Sequence, residues 1–292
     1  MFRQLANSSA STATMRGVIN GIPRPRVRRR MILGLLLTLL ATTSCLPAAG
    51  ISEVDSASSP DARSDELDKL LARVPNFPPA PDPVPVTLPR RPNAAAYTAR
   101  IPTDHPVAFI TVDDGRVKDR DASAVMNAAQ VPITAFLTTN TISDDKQYFA
   151  DLAQAGLVIE AHTVSHPRLS TLTYEQQRQE LCQSAELLED WYGQRPLYFR
   201  PPYGDRNEDT LRAAWSCGYR AGFGWRAVVA DGEIRYQDPT GVLQPGDIIL
   251  LHFRSNFALD LVVALEAIKA AGLTPARLTD YVTVESSHEP KS

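Results

Sequence analysis

Two of the five histidines in this 292-residue chain, His162 and His166, stand four residues apart. That spacing brings both imidazoles to one side of a single turn. Earlier in the chain an apolar run ends in Thr111-Val112-Asp113-Asp114-Gly115. Adjacent carboxylates repel, so such a pair either draws a cation or divides into an acid and a base; a solvated Asp-Asp-Gly turn is the plain alternative. One carboxylate, from Asp113 or Asp114, with the two imidazoles would make a three-ligand site with a position left for water. That is the layout of a catalytic metal rather than a structural one.

Two further motifs carry polar groups straight after apolar runs. Phe199-Arg200-Pro201-Pro202-Tyr203-Gly204 places an Arg before a stiff turn, and a rigid turn aims backbone N–H groups as an oxyanion requires; an ordinary turn is the other reading. Ile248 to Leu251 run into His252, which is either a capped core histidine or a general acid at the mouth of a site.

Positioning these residues takes a β/α framework. From Ala94 onward, short apolar runs alternate with amphipathic stretches, as in β/α units built on a mainly parallel sheet. Strands are expected at Val107 to Val112, Ile133 to Thr138, Leu157 to Ala161, Leu197 to Arg200, Tyr219 to Gly222, Ala227 to Ala230 and Ile248 to His252. Helices are expected at Ala122 to Ala129, Tyr148 to Ala155, Tyr174 to Tyr192, Glu208 to Cys217 and Leu259 to Ala271, with Gly156, Gly193, Gly218 and Gly272 as stops. An incomplete barrel and an open doubly wound sheet both satisfy this pattern, and both put their chemistry at the C-terminal ends of the strands.

The N-terminal third reads differently. Arg24, Arg26, Arg28, Arg29 and Arg30 precede the apolar run Met31 to Ala41, the layout of an export signal too short to be a comfortable membrane span. Arg29-Arg30 also fits a twin-arginine signal. Thr42-Thr43-Ser44-Cys45 resembles a lipobox, leaving lipidation of Cys45, simple cleavage nearby or an uncleaved anchor open. Residues 1–45 are therefore assigned as signal, 46–98 as a Pro- and Ser-rich tether with one brief helix at Glu66 to Val74, 99–286 as the catalytic domain and 287–292 as a tail. Outside the cytoplasm Cys182 and Cys217 become candidate disulfide partners, two buried thiols being the alternative. A net charge of -3 argues against a nucleic-acid partner. The chain is expected to be a monomer that meets a membrane only through its N-terminus.

Taken together, the motifs resemble those of the polysaccharide deacetylases, carbohydrate esterase family 4. Thr111 to Gly115 is similar to the family's Thr-Phe-Asp-Asp-Gly, His162 to Pro167 to its His-Ser/Thr-x-x-His-Pro, Arg200 to Tyr203 to its Arg-x-Pro-Tyr, and Leu250 to His252 to its Leu-x-His. The resemblance spans roughly residues 102–281. It implies a distorted, incomplete (β/α) barrel and a hydrolase acting on carbon-nitrogen bonds other than peptide bonds. Its substrate would be an amino-sugar polysaccharide. Asp113 would be the general base, oriented by Arg200. Asp114, His162 and His166 would hold a divalent metal, zinc first, with cobalt or nickel also fitting. His252 would be the general acid, and the Tyr203 N–H would donate to the oxyanion. Two departures stand out. Val112 replaces a Phe, and of the family's Asp-x-x-Asp-Trp only Asp231 remains, with Val228 and Gly232 in the other places, so that Asp231 is the one candidate left to tune His252, that role stays open, and Trp225 would supply the lost aromatic wall.

Overall fold

Buried apolar runs become strands when both faces of a parallel sheet are covered, and the run before Asp113 is such a case. The computed structural model describes residues 60–283. Along the chain come α1 (Pro60–Leu71), β1 (Val86–Thr87), β2 (Ala96–Thr98), β3 (Val107–Asp114), α2 (Ala122–Ala129), β4 (Ile133–Leu137), α3 (Thr139–Ile142), α4 (Lys146–Gln154) and β5 (Leu157–Ala161). Then follow α5 (Tyr174–Tyr192), β6 (Tyr198–Phe199), α6 (Glu208–Ser216), β7 (Ala221–Phe223), β8 (Ala227–Ala230), β9 (Glu233–Tyr236), β10 (Ile248–His252), α7 (Phe257–Ala270), β11 (Thr274–Pro275) and β12 (Val282–Thr283).

The main sheet runs β2-β7-β6-β5-β4-β3-β10-β8-β9, with β11 also on β3. Every pairing is parallel except the β8–β9 hairpin. It is a curled, incomplete (β/α) barrel. Alternation along β3 divides its side chains between two apolar clusters: Val107 and Phe109 join one with Phe136, Tyr198 and Phe223, while Ala108, Ile110 and Val112 join the other, against the helices. Asp113 continues the Val107-Phe109 face at the C-terminal end of the strand. Val112 lies wholly within the helix-side core, so the loss of a Phe there is a packing change.

The helix boundaries follow local chemistry. Thr173 and Gln176 form a capping box at α5, as Asn207 and Thr210 do at α6. Gly193 ends α5 at φ 73°. Cys182 on α5 and Cys217 at the end of α6 form a disulfide across 35 residues. Closing a loop of that size stabilises by about 3–4 kcal/mol in the chain-entropy account. The Cys182→Ser/Cys217→Ser double variant is therefore expected to melt lower than the parent by several degrees in a thermal scan.

One assignment is corrected. The tether expected over 46–98 is, from residue 60 on, laid against the domain, so the folded body starts well before 99. Helix α1 packs against α2 and α7. Leu67, Leu70 and Leu71 of α1, with Val74 and Phe77 just beyond it, rest on the helix-side core; the brief helix expected at Glu66 to Val74 starts earlier, at Pro60, and ends at Leu71. Arg63 pairs with Asp121 at 2.9 Å and Arg73 with Glu266 at 3.0 Å. Further on, β1 pairs with β12, and β2 forms an edge of the main sheet. The export signal, Cys45 and the 287–292 tail lie outside the described residues. Among the described residues no helix is long and apolar enough to cross a membrane.

Candidate active site

At the C-terminal ends of the strands, β3 delivers Asp113 and Asp114, the loop after β5 delivers His162 and His166, the loop after β6 delivers Arg200 and Tyr203, and β10 ends in His252, in register with Asp113. The chain must turn sharply here. Among the described residues, seven other than Gly adopt positive φ, and Asp114 (77°), Thr163 (68°), His166 (63°) and Tyr203 (61°) all belong to this site. Such backbone is costly, and it persists where surrounding structure over-determines it. Gly115 completes the first turn at φ 96°, where a Cβ would fall 2.4 Å from Ile142.

That turn brings two adjacent carboxylates onto one imidazole. His162 Nε2 lies 3.6 Å from Asp113 Oδ2 and 3.8 Å from Asp114 Oδ1, and His166 Nε2 lies 3.3 Å from Asp114 Oδ1. Ligand atoms of Asp114, His162 and His166 lie within 4.8 Å of one another. His162 Nδ1 is 2.7 Å from the Arg200 carbonyl. A carbonyl only accepts, so Nδ1 carries the hydrogen and Nε2 presents its lone pair to the carboxylates. Burial holds the His162 pKa below its ordinary value against the pull of Asp113 and Asp114, which keeps that imidazole neutral. One carboxylate and two imidazoles suit a borderline divalent cation.

Arg200, fully buried, fixes Asp113. Its Nη1 donates to Asp113 Oδ1 at 2.7 Å, Nε to the Phe223 carbonyl and Nη2 to the Gly224 carbonyl, each at 3.1 Å, over the Phe136 ring at 4.4 Å. Asp113 Oδ2 is thereby left toward His162. The Tyr203 ring packs edge-on against His166 at 4.7 Å, and among the described residues no hydrogen bond uses the Tyr203 N–H.

A family profile described as "Polysaccharide deacetylase" matches residues 100–222. The chain is 35% identical over 185 residues to an uncharacterized protein of Streptomyces coelicolor, covering 62% of this chain and 74% of that one. The chain belongs to the polysaccharide deacetylase family. It is also 28% identical to the peptidoglycan-N-acetylmuramic acid deacetylase PdaA of Bacillus subtilis, over 62% of this chain and 73% of that one. Among solved structures, a family 4 carbohydrate esterase from Bacillus anthracis superposes with a TM-score of 0.54 at 26% identity, over 63% of this chain and 86% of the other.

Against the family pattern, one expected residue is elsewhere. Asp231 does not reach His252: its side chain is 72% exposed, 3.2 Å from Asn256 Nδ2 and 4.0 Å from Arg254. Val228 stands opposite Leu250 in the ladder, and the hairpin between β8 and β9 turns through positive φ at Asp231 and Gly232. His252 Nδ1 is buried without a partner among the described residues. Trp225 does stand beside the site, 5.7 Å from the Arg200 guanidinium and against Gly204. With the Gln237 amide oriented as its neighbours require, Trp225 Nε1 donates to it at 2.9 Å. Glu160, two residues before His162, is buried away from the acid-imidazole group; burial pushes its carboxyl up to about 8, and it accepts from the Tyr198 N–H.

One positioning residue has no sequence signal. Glu180, inside α5, accepts from the Val164 and Ser165 N–H groups, both at 2.9 Å, and from the Ser165 hydroxyl at 2.6 Å. It thereby holds the loop between the two histidines. Loss of a group that orients ligands typically costs about 10- to 100-fold in metal affinity. Glu180→Ala is expected to weaken metal binding within that range by competition with a chelator, with both imidazoles still present.

Proposed function

We propose that this protein is an exported, metal-dependent deacetylase that removes N-acetyl groups from an amino-sugar polysaccharide, with peptidoglycan as the favoured substrate. The observation that carries the reading is the convergence of Asp114, His162 and His166 on one point beside an Asp113 that Arg200 holds in place. Export is supported by the Arg-rich, then apolar, N-terminus and by a disulfide within the domain. Peptidoglycan is supported by the name of the Bacillus subtilis relative.

A divalent cation on Asp114, His162 and His166, zinc first with cobalt or nickel as substitutes, would supply Lewis acidity to the acetyl oxygen and a lowered pKa to the attacking water. Asp113 takes the water's proton at Oδ2, because Oδ1 is occupied by Arg200. The Tyr203 N–H, presented by the Pro201-Pro202 turn, donates to the developing oxyanion. His252 protonates the departing nitrogen, without which the carbon-nitrogen bond would not break. Tyr203 and Trp225 offer the sugar ring two aromatic surfaces.

Acetate release from a panel of acetylated glycans, with and without chelator, tests the reading. Chelator-sensitive release with a free amine as co-product is the expected result. A free hydroxyl instead would make the protein an O-acetyl esterase. The unpartnered His252 Nδ1 favours a second reading, a wall-binding protein without turnover; metal and glycan binding with no acetate released from any member of the panel would establish it.

A further inference from the structure

The turn that carries Tyr203 is short and strained: Tyr203 stands at φ 61° and Gly204 at φ 69°. Within it the Gly204 N–H donates to the Pro201 carbonyl at 2.9 Å and the Asp205 N–H to the Pro202 carbonyl at 3.0 Å. Two side chains then hold it from outside. Arg206 Nη1 donates to the Gly204 carbonyl at 3.1 Å, while its guanidinium lies 3.3 Å from the centroid of the Tyr97 ring. Asp205 holds the other flank. Its Oδ2 accepts from the Ser170 N–H at 2.9 Å and its Oδ1 from the Ser170 hydroxyl at 2.8 Å. Ser170 follows Leu169, whose side chain is fully buried in the helix-side core, so the far end of this clamp is anchored. Asp205 thus joins the turn of Tyr203 to the segment that carries His166, between residues 35 apart in sequence.

His166 is itself at φ 63°. Backbone of this kind persists only where its surroundings over-determine it. In the reading above, the Tyr203 N–H and the Asp114-His162-His166 group serve one acetyl oxygen, so the spacing between two strained loops decides whether both can act on it. A donor fixed beforehand stabilises developing charge without reorganisation, and one free to wander does not. We infer that Asp205 is a positioning residue for the deacetylation: through Ser170 it fixes the Tyr203 N–H relative to the histidine loop. The inference rests on that reading and gives Asp205 no contact with the glycan. Both carboxylate oxygens are engaged by Ser170, so its part is to hold rather than to transfer a proton.

Asp205→Ala, Asp205→Asn and Ser170→Ala are compared with the parent. In Asp205→Ala the kcat for acetate release is expected to fall about tenfold, the worth of one charge-assisted hydrogen bond, with KM and metal content unchanged and melting close to that of the parent. Asp205→Asn keeps an acceptor for the Ser170 N–H and should recover most of the loss. Ser170→Ala should add nothing to Asp205→Ala in the double variant, because the two side chains act through one contact. A second readout needs no turnover. In the metal-free protein the Gly204 amide, followed by NMR, should exchange about tenfold faster in Asp205→Ala, while the amides of β4 keep their parental rates. An unchanged kcat, a Gly204 amide that exchanges as in the parent, or a fall in kcat that Asp205→Asn does not recover and that tracks a loss of metal each overturns the inference. A parent that releases no acetate would sink the deacetylase reading instead, and exchange at Gly204 would then decide the clamp by itself.

Discussion

Asp113→Asn is expected to lower acetate release by about 10²- to 10⁴-fold, the range over which a positioned general base acts, with metal content unchanged. The metal is expected to stay because Asp114, His162 and His166 form the ligand group without Asp113. Catalysis should fail because an amide at Oδ2 cannot take a proton from water. Asn is chosen over Ala for a structural reason. Arg200 is fully buried, and stripping a buried guanidinium of its partner typically costs about 3–5 kcal/mol. An Asn oxygen keeps the hydrogen bond to Nη1, and a melting scan separates a fold defect from a chemical one. Retention of full activity by a variant that melts like the parent would remove Asp113 as the base.

His162→Ala is expected to lose both the metal and activity, by more than the about 100-fold that marks the upper end for groups that merely orient ligands. His162 is buried, its Nε2 faces both carboxylates, and its tautomer is set by the Arg200 carbonyl. Elemental analysis after dialysis, alongside acetate release, checks both halves of the expectation. One ion per chain held with parental affinity would show that the ion sits elsewhere. His166→Ala should behave alike with a smaller loss of affinity, because His166 is a quarter exposed and water can occupy its place.

Glu180 and Arg200 show how the site depends on contacts distant in sequence. Arg200 stands in the sequence as the first residue of a stiff turn, but its complete burial and its three acceptors arise only when β3, β6 and the end of β7 with Gly224 come together. The contact to Asp113 alone joins residues 87 apart. Glu180 sits in a helix whose pattern reads only as amphipathic, and nothing local sets it apart from Glu175 or Glu186. Its role exists because α5 packs beneath the histidine loop.

What the chain alone determined is whatever depends on neighbours a few residues away. The Asp113-Asp114-Gly115 turn, the His162 and His166 spacing, the strands ending in polar groups and the helices stopped by Gly are local, and the elements around them formed within one or two residues of the positions expected. Tertiary structure decided the remainder. It laid the Pro-rich stretch from residue 60 onto the domain, because five apolar side chains on α1 and the turn after it found a core to cover. It turned Asp231 outward, leaving His252 Nδ1 without the carboxylate the motif pattern suggested. It brought Cys182 and Cys217 to a Cα separation of 4.8 Å. Each of these outcomes depends on strand register and helix packing, and those are set by the burial of the whole core rather than by residues adjacent in the chain.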